Sequence, residues 1–199
     1  AFNKFDKLPS NPSVAVGDHL TGLLSKNDAV QFDVLPTIMK TRKGRSDAFT
    51  LLKKSIDSFR PDWIIGLGVA SRPRVSVEEI ARNRVVSPKS DSAGTVFRHK
   101  PISPSSPLAL STSADVIKLS ALLKSNGVPS TVSYFADTYV CNWIYFKTLD
   151  YLRVKKSKSK CVFIHVPLSP IEVNGLDANV PSFPPRLIAE GLSKFWKRD

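Results

Sequence analysis

The chain has 199 residues, 42% hydrophobic and 23% charged, and its 29 lysines and arginines against 17 acidic residues leave a formal charge of +12. That apolar share supplies one core for a single domain over residues 1–199 without metals or disulfides, and it excludes a wholly disordered chain. No run of about 18 apolar residues offers a transmembrane helix, and nothing reads as a secretion signal.

In chain order, Asn11-Pro12-Ser13 predicts the start of a helix running to Leu24, with Val16, Leu20, Leu23 and Leu24 apolar. Ala29 to Leu35 suits a short strand. Ser46 is expected to cap a helix carrying Phe49, Leu52, Ile56 and Phe59 on one face. Trp63 to Gly68 reads as a buried strand, and the Ser-, Pro- and Arg-rich stretch from Arg72 to Leu110 as irregular, with a helical turn near Glu78. Ser113 then caps a predicted helix holding Val116, Leu119, Leu122 and Leu123, which ends at Gly127. A strand over Thr131–Tyr134, a helix over Ala136–Leu152, a strand over Val162–Val166 and a last helix after Pro184-Pro185 complete the series. Strands alternating with helices, without tight hairpin signals, predict a three-layer α/β/α sandwich around a mixed, largely parallel sheet.

The positive charge gathers at Lys40–Arg45, at Arg153–Lys160 and at Lys194–Arg198, expected to be connectors and a terminus. None of these clusters is interleaved with aromatics as a base-stacking surface would be, so nucleic-acid binding rests on charge alone and solvated loops are the simpler reading. Cys141 and Cys161 are too few for a disulfide framework and point to reduced thiols in a cytoplasmic setting. His19, His99 and His165 have no metal-ligand spacing, so neither metal nor cofactor is expected.

Ligands of such sheets bind where loops converge at the carboxyl ends of strands. Cys141, His165 and Glu78 come from three such junctions, as a nucleophile, a base and an orienting carboxylate would. A cysteine in the first turn of a helix is expected to have a lowered thiol pKa, and nearby backbone N–H groups can hold an oxyanion. Singly, each of the three has a plainer reading: a small core residue, a structural histidine, a solvated glutamate.

Phe2-Asn3-Lys4-Phe5, Asn11-Pro12-Ser13, Val75–Asn83, Ser133–Asn142 with its Tyr-Val-Cys-Asn, and Phe163-Ile164-His165-Val166-Pro167 resemble, in order and spacing, the motifs of the pyroglutamyl peptidase I family of cysteine peptidases. The resemblance implies a phosphorylase/hydrolase-like fold and removal of N-terminal pyroglutamyl groups from peptides through a thioester. In it Cys141 is nucleophile, His165 base and acid, and Glu78 the orienting carboxylate. It further implies that Phe2, Phe5, Asn11, Val140 and Arg72 form the pocket for the lactam. Pyroglutamyl peptides would be the partners, with no specific nucleic acid or membrane, and the chain would associate into dimers or tetramers. A strand that precedes the first Phe in the family is expected to be missing from this sheet. Asp137 replaces a family glycine, where a carboxylate opposes thiolate formation. Val69 stands where the family has a pocket amide. These departures support an alternative, a catalytically weakened homologue that binds peptides.

Overall fold

Two seven-residue segments, Trp63–Val69 (β1) and Lys160–Val166 (β6), are apolar on both sides, as strands covered above and below by helices must be. In the computed structural model, which describes residues 1–3, 9–25, 29–42, 44–87, 89–174, 176 and 179–196, they pair in parallel with Gly68 opposite His165. Val75–Glu78 (β2) runs antiparallel to β6 and parallel to Ser130–Ser133 (β5), giving the sheet order β1-β6-β2-β5. A separate two-stranded sheet pairs Ile80–Arg82 (β3) with Ala109–Ser111 (β4).

Helices cover both faces of the main sheet. On one side Ala48–Phe59 (α2) and Val140–Val154 (α4) pack Ile56, Trp143, Tyr145 and Phe146 around Phe163. On the other, Pro12–Leu24 (α1), Val116–Ser125 (α3) and Pro185–Trp196 (α6) bury Val77, Val162, Ile164 and Val166. Each fully buried side chain of that size contributes roughly 1.5–3 kcal/mol, so both sides of β6 anchor the domain. The result is the expected sandwich with a mixed, largely parallel sheet.

Most helices start on a side-chain cap. Asn11 accepts from Ser13 N–H at α1, Asp47 from Thr50 N–H at α2, Asp115 from Lys118 N–H at α3, and Ser169 forms a capping box with Glu172 at Pro170–Val173 (α5). The helix α4 is different: its N-cap is Tyr139, which makes no side-chain cap bond.

Several local expectations need correction. Asp47, not Ser46, caps α2, and Asp115, not Ser113, caps α3, because in each case the carboxylate reaches the third N–H of the helix. The helix α4 begins at Val140 rather than Ala136, since Asp137 lies at φ 68, outside any right-handed helix. Glu78 is not in an irregular stretch or a helical turn: it ends β2, whose four residues are all buried in the middle of the sheet. Arg153 lies in α4, Lys160 opens β6 and Lys194 lies in α6, so the basic clusters are not confined to connectors.

Among the described residues, 29–35 form only a single parallel bridge, Leu35 with Phe2, in place of the expected strand. Asn3 N–H donates to Leu35 O at 2.9 Å and Leu35 N–H to Ala1 O at 2.9 Å. Between this pair and β1, the edge of the described main sheet, lies a cavity of about 640 Å³ lined by Leu24, Phe32, Leu35, Ile56, Ile64 and Leu67 among others. Among the described residues, no helix is long and apolar enough to cross a membrane.

Candidate active site

The site follows from sheet register. Paired residues of neighbouring strands point to the same face, and so do residues two apart along a strand. Gly66 and Gly68 of β1 therefore share a face with Phe163 and His165 of β6, and with Ser76 and Glu78 of β2. It is the face that α4 covers, and α4 carries Cys141 as its second residue.

His165 and Glu78 are both almost inaccessible, and the imidazole Nδ1 stands 2.8 Å from Glu78 Oε1. That contact fixes Nδ1 against the carboxylate and leaves Nε2 as the ring nitrogen for another partner. Arg72 Nη1 donates to the same Glu78 oxygen at 3.0 Å, while its Nη2 donates to Phe135 O at 3.0 Å. The hydroxyl of Tyr145, from α4, donates to the Glu78 backbone oxygen at 2.8 Å. The carboxylate is thus held by its strand, an arginine and an imidazole. Arg72, expected at the substrate, directs its guanidinium to Glu78 and to the β5–α4 loop.

Cys141 Sγ lies 3.0 Å from where a Cβ on Gly68 would stand, and Gly68 is the register partner of His165. Only a glycine at 68 leaves room for the sulfur, because the Phe163 ring presses on the same spot at 2.9 Å. The sulfur makes no hydrogen bond among the described residues. Its pKa is raised, not lowered as the helix-start argument predicted. Burial pushes the thiol up to about 12, the Asp137 and Glu78 charges add to the rise, and Arg72 and the Ala1 amino group only partly oppose it. The helix end is a weaker influence than desolvation at a sulfur wedged against β1 and Phe163.

Phe2 is buried. Asn11 Nδ2 donates to Phe2 O at 2.9 Å and to Asn3 O at 3.3 Å, while its Oδ1 accepts from Ser13 N–H and Oγ. Both polar atoms of the Asn11 side chain are engaged by protein, so it shapes the segment bearing Phe2. Val140 is buried as the first residue of α4. Phe5 lies outside the described residues.

Three contributors escaped the sequence reading. Gly68 makes space for the thiol. Tyr145 braces Glu78. Asn142 accepts from Arg82 N–H at 2.8 Å and donates to Arg82 O and Arg84 O, so it pairs with β3 as a strand would and pins the first turn of α4. Its place beside Cys141 in the Tyr-Val-Cys-Asn motif was the available signal. At the α4 end, Trp143 N–H already donates to Tyr139 O at 2.9 Å, and with no side-chain cap the preceding N–H groups are the ones an incoming oxygen can use.

A family model for pyroglutamyl peptidase matches residues 1–194. Pyrrolidone-carboxylate peptidase of Thermococcus litoralis is 31% identical over 186 residues, 91% of this chain and 82% of that protein. Its Bacillus subtilis counterpart is 29% identical over 182 residues, 91% of this chain and 81% of that protein. Among solved structures, pyrrolidone carboxyl peptidase from Thermococcus litoralis superposes with a TM-score of 0.84 at 28% identity, covering 96% of this chain and 87% of that one. Pyroglutamyl peptidase I from Bacillus amyloliquefaciens gives 0.86 at 26% identity, with 96% and 88% covered.

Proposed function

Because the chain belongs to the pyroglutamyl peptidase family, we infer that it is a hydrolase removing the amino-terminal pyroglutamyl group from peptides, with Cys141 as nucleophile, His165 as base and acid, and Glu78 as orienting carboxylate. The observation that carries this reading is the buried Glu78–His165 contact at 2.8 Å across β2 and β6, beside Gly68 of β1, the register partner of His165, which abuts the Cys141 sulfur.

Burial disfavours the Cys141 thiolate, so the sulfur becomes nucleophilic as its proton leaves for a base. His165 Nε2 takes the thiol proton as Sγ attacks the pyroglutamyl carbonyl, while the Glu78 carboxylate at Nδ1 stabilises the imidazolium that forms. The carbonyl oxygen gains its negative charge at the uncapped N–H groups of Val140 to Asn142. The imidazolium passes its proton to the leaving amine, and a water activated by the now neutral His165 hydrolyses the thioester. Arg72 acts through Glu78 as a positioning residue. Phe2 and Phe5 supply apolar contact to the lactam, and Asn11 holds the Phe2 segment; a small uncharged ring is recognised by apolar walls plus a few fixed hydrogen bonds.

The test is release of a fluorophore from a pyroglutamyl amide, with Cys141→Ser as control. Turnover by the wild-type chain and none by the variant is the expected result; no turnover by either overturns the assignment.

A further inference from the structure

We propose that Asp137 governs the nucleophile of this enzyme electrostatically, restraining Cys141 at neutral pH from its place at the entrance to α4. The inference rests on Cys141 being the nucleophile and adds a residue that takes no part in bond making or breaking.

The geometry comes first. Asp137 has φ 68, the left-handed region that favours glycine, in the connector between β5 and α4. Aspartate is among the few residues that tolerate this region, because its side chain can bond the local backbone. Here Thr138 N–H donates to Asp137 Oδ1 at 2.7 Å. The carboxylate is thereby fixed near the start of a helix that no side chain caps. A helix start attracts negative charge, and Asp137 supplies it at the end where a thiolate and an oxyanion would otherwise be the anions favoured.

The other charged or titratable groups acting at the sulfur have prior commitments or act the opposite way. Glu78, from β2, is shared between Arg72 and His165. Arg72, from the β1–β2 loop, and the Ala1 amino group favour the thiolate. His165, from β6, is tied to Glu78, and the Tyr139 phenol stays protonated, its pKa pushed up to about 12 by burial and by the Asp91 and Cys141 charges. Asp137 is the exposed one of the two acids. Its field is therefore the one that salt reaches and that a substitution removes without disturbing the Glu78–His165 pair.

Two variants separate charge from backbone strain. Asp137→Asn keeps the tolerance for positive φ and the oxygen that accepts from Thr138, and loses the charge. Asp137→Gly loses both the charge and the strain. The rate of Cys141 alkylation by iodoacetamide is followed against pH in all three proteins, alongside kcat/KM for a pyroglutamyl amide. Both variants are expected to shift the rising limb of the alkylation profile to lower pH by about half to one unit, making alkylation at pH 7 roughly three- to ten-fold faster. High salt should move the wild-type profile the same way and leave both variants nearly unmoved. An unshifted profile in Asp137→Asn overturns the proposal, including the case in which Asp137→Gly alone shifts. Failure of the peptidase assignment reads differently: no turnover in any of the three, whatever the alkylation profiles do.

Discussion

The starts of α1 and α4 face the same problem, a set of backbone N–H groups with no partner inside the helix, and they resolve it in opposite ways. At α1, Asn11 takes Ser13 N–H on its oxygen and spends its amide on Phe2 O and Asn3 O, so the end is closed and the preceding segment tied down. At α4, Tyr139 offers no cap, and its hydroxyl goes to Ser90 O, while Asn142 holds the helix from the side through β3. A helix that is only structural closes its end. The one that carries Cys141, the proposed nucleophile, leaves its end without a side-chain cap and is anchored elsewhere.

Substitutions at the two ends should therefore fail in different currencies. The largest effect is expected from Cys141→Ser, which should lower pyroglutamyl-amide turnover by at least about a thousand-fold. Next comes Gly68→Ala. Its methyl would stand 3.0 Å from the Cys141 sulfur and 2.9 Å from the Phe163 ring, so kcat/KM should fall about ten- to a hundred-fold, with a stability loss of about 1–3 kcal/mol by urea unfolding. Asn11→Ala should cost about 1–2 kcal/mol through the lost cap and raise KM more than it lowers kcat, since it frees the Phe2 segment and leaves the Glu78–His165 contact intact. The smallest effect is expected at Asp115→Ala, which removes the cap of α3 on the side of the sheet away from the thiol: about 1 kcal/mol of stability and unchanged kinetics. If Asp115→Ala slowed turnover while Asn11→Ala left it untouched, the division between closed and open ends would not hold.

The elements legible in the sequence were those with one dominant signal. Asn11-Pro12 fixed the start of α1, and the buried runs at Trp63 and Val162 fixed the two long strands. β2 was illegible because Val75–Glu78 is short, covered on both faces and surrounded by serine, proline and arginine, so neither period nor length marks it. The capping errors have a common cause: Ser46-Asp47 and Ser113-Ala114-Asp115 each offer two acceptors, and only backbone geometry decides which one reaches the third N–H. The chemistry-bearing trio was visible as residue types at strand ends and as motifs. The state of the thiol was not, because desolvation by Gly68 and Phe163 comes from strands 70 residues or so to one side and 20 to the other, beyond what any local window sees.

Among the described residues one side of β1 is unpaired, and this has a consequence in time. Along a parallel strand, alternate residues turn their N–H groups to opposite sides, so one set between Trp63 and Val69 is locked against β6 while the other faces the cavity. Amide hydrogen exchange should therefore split this single strand into a slow set, released only when the whole domain opens, and a fast set, released by fluctuations of the cavity wall. β6, with strands on both sides, should show the slow kind throughout. Protection at alternate residues of β1 would thus serve as a clock for anything that occupies the slot, since the fast set would slow to match its neighbours.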